Sequence, residues 1–366
     1  MAASKTFYRP RSSAMKMASI RVIFNVTSRC NLACRHCYAS EFTSGSELTT
    51  DEAMGVLEEV AKLFGGAKVI FSGGEPLLRS DLPELVSYAS RLGLRASLAT
   101  NGLLLSLDKA LELKRLGLEE VSVSLESADK RLHEEVRGEG SYEAALNAVK
   151  TCKEAGLRVL IDPCITSLNL AEAPRLVELA WRLGVDGMRV FHYVPIGRGR
   201  SWVKEAQLTP QRFATWLLQL YGLQLANPQL PIYTVQAPQY TVLLAKGAKE
   251  GVEAARRMLP ELSPGCRAAL NTIAIKHNGD VTPCPLWSAK LGNVRLEGLR
   301  EALNSPLAES LKRRAEKVKG RCARCAYVEL CGGCRVRAYA AYGDYFAEDP
   351  LCSDALYKPR EEGLEA

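Results

Sequence analysis

The sequence contains no run of about 18 apolar residues, which excludes an ordinary transmembrane helix. Its first 17 residues carry Lys5, Arg9, Arg11 and Lys16 but no apolar core, so no secretory signal is read there and a cytoplasmic location is expected. There is no internal repeat and no low-complexity tract, which sets repeat architectures aside. Aromatic residues make up only 7%, with no basic-aromatic tract, so no nucleic-acid partner is expected. The net charge of +7 permits anionic ligands without specifying one. With 47% hydrophobic and 24% charged residues the chain is not disordered as a whole, and 366 residues suffice for about two domains. What the sequence does have is cysteine. Twelve thiols in a reducing compartment bind metal more often than they pair.

The cysteines fall in two groups, three between Cys30 and Cys37 and seven between Cys266 and Cys352, with only Cys152 and Cys164 between them. From Ser19 to about Pro195, short apolar runs alternate with amphipathic helical patterns. Strands are expected at 20–26, 67–72, 94–99, 119–125, 158–161 and 188–193. Thr49 and Glu52 form a capping-box pattern for a helix that Gly65-Gly66 ends, and Ser80, Ser106 and Ser141 are candidate N-caps. Six β-then-α units imply a parallel sheet, open or closed into a barrel, whose chemistry collects at the C-terminal strand ends. Thr209-Pro210 opens a helix running toward Ala226, and a second helix is expected over 239–258. Pro260, Pro264 and Gly265 mark a boundary, and Asn278-Gly279 sits at the turn of a hairpin spanning 271–284.

Cys30, Cys34 and Cys37 are spaced Cys-x3-Cys-x2-Cys directly after the first expected strand. Three thiolates leave one iron of a four-iron cluster open to a chelating ligand. A zinc site would need a fourth ligand, His36 or a distant residue. After the second strand come Gly73, Gly74, Glu75 and Pro76, where two glycines let backbone approach closely. Asn101 ends the third strand, and Ser124 and Glu126 the fourth. In combination these motifs resemble the radical S-adenosylmethionine (SAM) superfamily over about 21–200. The resemblance implies a [4Fe-4S] cluster held by Cys30, Cys34 and Cys37, with SAM chelating the open iron and yielding a 5′-deoxyadenosyl radical. It further implies that Gly73, Gly74, Glu75, Pro76 and Asn101 surround SAM, Glu75 and adjacent carbonyls facing its ammonium group, and that Ser124 and Glu126 meet its ribose. Arg137 would meet its carboxylate, since guanidinium suits that fork. For Ser124, Glu126 and Arg137, solvated positions at element ends remain an alternative.

Cys266, Cys284, Cys322, Cys325, Cys331, Cys334 and Cys352 are too many for a single zinc. Their order resembles the SPASM extension of radical SAM enzymes, which carries two auxiliary iron–sulfur clusters. By that resemblance Cys322, Cys325, Cys331 and Cys352 hold the outer cluster and Cys266, Cys284 and Cys334 the inner one. Here the gap Cys331-Gly-Gly-Cys334 is x2 where many relatives have x3, and no cysteine lies between Cys266 and Cys284. The inner cluster thus lacks an evident fourth ligand. Cys152 and Cys164 are read as structural. The expected architecture is a partial (β/α)6 TIM-like barrel with a small C-terminal cysteine-rich α+β domain. Its divisions are an extension (1–18), the barrel (19–205), a helical linker (206–260), the cluster domain (261–355) and a tail (356–366).

The stretch from Cys331 to Cys352 resembles SPASM proteins acting on tetrapyrroles, in the alternative heme route and heme d1 formation. That resemblance implies a porphyrin substrate, with oxidative decarboxylation of iron-coproporphyrin III propionates the leading reaction and an external donor such as ferredoxin or flavodoxin. A polycarboxylate wants guanidinium partners. Arg189, Arg198 and Arg200 near the sixth strand's end are candidates, as are His192 and Tyr193 for the macrocycle or its iron; surface and core roles remain open for all five. A maturase of a peptide or quinone-type precursor is the alternative enzyme, although the cysteine loop begins within thirty residues and leaves no room for a leader-recognition domain before it. A zinc-stabilised binding module is the non-enzymatic alternative.

Overall fold

The computed structural model describes residues 20–247 and 265–359. The expected N-terminal extension, the 239–258 helix beyond Gly247, Pro260, Pro264 and the last seven residues of the tail lie outside them. The strands are β1 (Arg21–Thr27), β2 (Lys68–Gly73), β3 (Arg95–Thr100), β4 (Leu118–Val123), β5 (Arg158–Ile161), β6 (Cys164–Ile165) and β7 (Gly187–His192). Four more follow: β8 (Ile232–Val235), β9 (Thr272–Ile275), β10 (Asp280–Thr282) and β11 (Gly292–Asn293). Neighbours β1 through β5, then β7 and β8, all pair in parallel. β6 continues β5 along the same edge of β7 after the break at Asp162-Pro163.

The crossovers are α1 (Thr50–Leu63), α2 (Leu82–Arg91), α3 (Leu107–Arg115), α4 (Lys130–Arg137), α5 (Ser141–Glu154) and α6 (Ala173–Arg182). The capping box at α1 forms in full, Thr49 accepting from Glu52 N and Glu52 from Thr49 N. Ser106 caps α3 through Lys109 N. The other two caps shift. Asp81, not Ser80, precedes α2, and Gly140 precedes α5, leaving Ser141 as its first residue with a hydroxyl that donates to Gly138 O.

Alternation along each strand separates two faces. Val22, Phe24 and Val26 of β1, with Val69, Phe71, Leu98, Val121, Val123, Val159 and Val190, pack under the helices in one continuous core. Cys152 lies wholly within that core, and burial pushes its thiol up to about 12. The opposite face is polar: Lys68 pairs with Glu120 at 2.5 Å, Ser97 joins it, and Arg189 reaches Asp162 and Ser122.

Two features depart from expectation. The region 206–260 is not solely a helical linker, because β8 adds a seventh parallel strand to the barrel. Ile-Tyr-Thr-Val is a strand-forming run, but at four residues beside Pro231 its periodicity is illegible. Gln224 Oε1 accepts Ile232 N at 2.6 Å, and Pro231 O takes Met188 N. In addition, the hairpin β9–β10 builds no separate sheet: β9 pairs in parallel with β1, from Arg21↔Thr272 to Phe24↔Ile275.

His192 points away from the interior. Its Nδ1 lies 2.8 Å from Val235 O, and its Nε2 accepts Trp216 Nε1–H at 3.0 Å. Burial lowers its pKa to about 3. The unfolded chain therefore takes up this proton first, near pH 6.5, and folding stability falls as pH drops from there toward 3. We expect this residue alone to contribute a slope of at most about 1.4 kcal/mol per pH unit in that window. Thermal melts of His192→Gln should show a shallower acid limb than wild type.

Candidate active site and cluster-binding loops

β1 delivers the chain directly into the Cys30–Cys37 loop, which is pinned from three sides. Gly74 N donates to Thr27 O and Glu75 N to Arg29 O, both at 2.8 Å. A Cβ at Gly73 would stand 2.3 Å from Thr27 O and one at Gly74 2.0 Å from Arg29 O, so this turn accepts only glycine. The close approach expected toward a ligand is made to the loop's own backbone. From the end of β3, Asn101 Nδ2 donates to Asn31 Oδ1 at 2.8 Å. From beyond β7, Arg198 Nε donates to Cys34 O at 3.0 Å, and its backbone N–H to Ser40 Oγ.

Glu75 is fully buried and its carboxylate is committed. It accepts from Thr100 Oγ1 (2.9 Å), Leu77 N (3.1 Å) and Asn101 N (2.8 Å). These bonds tie the turn after β2 to the end of β3. Pro76 opens the short turn Pro76–Leu78.

Glu126 and Arg137 are not solvated. Arg137 Nε donates to Glu126 Oε1 at 2.6 Å, and Arg137 Nη1 lies 3.8 Å from Cys34 Sγ. His36 Nε2 is 3.4 Å from the same carboxylate, which also accepts Cys164 N at 2.6 Å. Burial alone would raise the Glu126 pKa, but Arg137 and His36 hold it well below the carboxylate range. The same anion raises Arg137 against its own burial. The pair is thereby set against one thiol of the loop. Ser124 is half-buried at the same strand end, and the buried Nδ1 of His36 has no hydrogen-bond partner among the described residues.

Of the five candidate substrate residues, two pack within the fold. His192 spends both ring nitrogens within the fold, and the Tyr193 hydroxyl donates to Gly199 O with its ring packed against Trp202. Both side chains are buried against neighbouring elements, His192 under Trp216 and Tyr193 beside Trp202. Arg198 clamps the cysteine loop and exposed Arg200 pairs with Glu41. Arg189 faces the interior, shared with Asp162 and Ser122.

In the C-terminal region, Cys322, Cys325, Cys331 and Cys352 line one cavity together with Gln239 and Asp349. Cys266, Cys284 and Cys334 meet in a second apolar cluster with Trp287, Val194, Ile196 and Tyr38, the residue after Cys37. Burial pushes Cys352 up to about 12 and Cys334 up to about 11. Thiols this buried carry charge only against a bound cation, and coordination by iron supplies one. Among the described residues, no three His, Cys, Asp or Glu side chains converge on a point that would suit a single ion. Four thiols spread around a cavity suit a polynuclear core. Gly332 and Gly333, with φ of 62° and 65°, separate the two groups. Tyr38, Asn31, Asp349, Arg335 and Arg337 were missed by sequence reasoning; only the position of Tyr38 beside Cys37 offered a signal.

A parallel barrel with three thiols on the loop after its first strand, and seven more in a module built onto that strand's edge, defines an iron–sulfur enzyme. The Radical SAM superfamily model matches residues 24–180 and the SPASM iron–sulfur cluster-binding domain model residues 266–334. The chain belongs to the radical SAM superfamily, in the branch with a C-terminal SPASM domain. It is 34% identical over 352 residues to the AdoMet-dependent heme synthase of Methanosarcina barkeri (strain Fusaro / DSM 804), covering 94% of this chain and 99% of that one. It is 34% identical over 358 residues to the Fe-coproporphyrin III synthase of the same organism (93% and 88%). The PqqA peptide cyclase of Rhodopseudomonas palustris (strain ATCC BAA-98 / CGA009) matches at 28% over 365 residues (93% and 90%). Native anSMEcpe with bound AdoMet shares the fold, with a TM-score of 0.71 at 18% identity over 91% of this chain and 93% of that one. As a member of this branch the protein is an enzyme that binds a [4Fe-4S] cluster, SAM and auxiliary iron–sulfur clusters. No helix among the described residues is long and apolar enough to cross a membrane.

Glu126→Gln would leave Arg137 buried without its anion, a loss of about 3–5 kcal/mol that thermal unfolding should register. In Gly74→Ala the turn cannot close on Arg29, and iron analysis should show about four irons fewer per chain.

Proposed function

We propose that this enzyme oxidatively decarboxylates propionate side chains of iron-coproporphyrin III to vinyl groups, forming heme b. The observation that carries this reading is the 34% identity with a heme synthase over nearly the whole of both chains, barrel and cluster module together. The polar interior, with Arg189 facing it, suits a substrate bearing several carboxylates.

When bound, the cluster and SAM would supply a 5′-deoxyadenosyl radical able to take hydrogen from the propionate β-carbon, so that loss of carbon dioxide, with one electron passing to an auxiliary cluster, would leave the vinyl group. The chain's own part is positional. Cys30, Cys34 and Cys37 are proposed as ligands of the SAM-binding cluster, their loop held by Gly74, Asn101 and Arg198 while Glu126 and Arg137 fix Cys34. Cys322, Cys325, Cys331 and Cys352 are proposed for the outer cluster, and Cys266, Cys284 and Cys334 for the inner. Tyr38 lies between the SAM loop and the inner group, within reach of Ser72 and Arg189. The reductant is proposed to be a small external carrier such as ferredoxin or flavodoxin, and the setting cytoplasmic.

Reconstituted, reduced enzyme should convert iron-coproporphyrin III with SAM to heme b, read by chromatography and mass. Porphyrin left intact while 5′-deoxyadenosine still forms would sink the reading and favour a peptide substrate. Iron analysis should give about twelve irons per chain, and Cys322→Ala/Cys325→Ala about eight.

A further inference from the structure

Between the two groups of auxiliary cysteines lies a buried charge cluster that sequence reasoning did not find. Asp349, Arg337 and Arg335 are at most 2% exposed. Asp349 Oδ1 accepts Arg337 Nε (2.8 Å) and Leu351 N (3.1 Å). Its Oδ2 accepts Arg337 Nη2 (2.7 Å), Gln239 Nε2 (2.8 Å) and the backbone N–H of Cys334 (2.7 Å). Asp349 stands three residues before Cys352 and lines the cavity of the four outer thiols, so one carboxylate touches the loops of both groups. Arg337 Nη1 donates to Gln236 O beyond β8, anchoring the unit to the barrel. Arg335 donates to Gly333 O, Tyr345 O and Ala347 O, and its Nη2 lies 3.9 Å from Cys322 Sγ.

A buried ion pair is a poor device for stability alone, since desolvating both charges offsets much of their attraction. Beside a redox centre the same pair has a second effect. Reduction adds a negative charge, so each fixed charge nearby, and each donor to a ligand sulfur, shifts the potential at which the electron arrives. We propose that Asp349 and Arg337 are a positioning pair that sets the reduction potentials of the two auxiliary clusters relative to each other, with Arg335 as sulfur donor to the outer one. Neither residue touches substrate. The pair is neutral as a unit, so its two members pull in opposite directions and their balance fixes the potential.

The test is an EPR-monitored redox titration of the reconstituted holoenzyme, with the SAM-binding cluster of the same molecule as reference. Asp349→Asn keeps the shape and leaves Arg337 uncompensated, so an auxiliary midpoint should rise. Arg337→Met leaves Asp349 uncompensated, so it should fall. Each shift should be about tenfold in the reduction equilibrium, ~59 mV for a one-electron couple. Arg337→Lys should stay near wild type, and the double variant Asp349→Asn/Arg337→Met should return toward it. Iron content accompanies every titration. If Arg337→Met sheds its auxiliary iron, Asp349→Asn decides alone. Midpoints that stay put at full iron content, or move the same way in both single variants, overturn the proposal. Loss of auxiliary iron from both Asp349→Asn and Arg337→Lys shows a purely structural role and overturns it as well.

Discussion

β1 has both of its hydrogen-bonding edges occupied, β2 on one side and β9 on the other, each in parallel register starting at Arg21. A strand paired on both edges has no freedom to slide without breaking two ladders at once, and a one-residue slip would turn its core face to the interior. The loop that follows it inherits that rigidity. Because β9 belongs to the cysteine-rich region, the same pairing joins barrel and cluster module in one sheet. Arg295 reinforces the join from outside, with a forked contact to Glu52 on α1.

The second constraint is electrostatic. The cluster-binding regions are dry, and thiols, carboxylates and guanidinium groups are expensive to charge there unless each meets a partner. The chain answers twice with an arginine held by a buried acid beside a cysteine loop: Arg137 with Glu126 near the Cys34 thiol, and Arg337 with Asp349, whose carboxylate takes the Cys334 backbone N–H. In both places the acid also binds a backbone N–H across the fold, Cys164 in one and Cys334 in the other, so charge balance and loop geometry are fixed together.

The cysteine loops, the glycine turn and six strands were legible because each has a local signature: spacing, close-approach glycines, or apolar runs between capped helices. The capping box of α1 and the Asn278-Gly279 turn formed as read. The side-chain partners around the site were not legible, for a shared reason. Glu75, Glu126, His192 and Tyr193 stand at positions where family pattern or strand-end placement suggests a ligand, yet what each side chain touches depends on residues tens of positions away. Glu75 meets Thr100 and Asn101, Glu126 meets Cys164, and His192 meets Trp216. Strand β8 escaped because four residues carry too little periodicity, and Asp349 because an acid near a cysteine has no spacing signature.

Gly332 and Gly333 are all that separates Cys331 from Cys334, and both adopt left-handed backbone. A Cβ on Gly333 would press into Arg335 Nη2 and Asp349 Cβ, so the link admits neither side chains nor slack. A tether this short couples the two thiol groups: fixing the backbone at Cys331 also fixes where Cys334 stands. The fold of the module is therefore coupled across this link, so that a shift in one thiol loop is felt at the other.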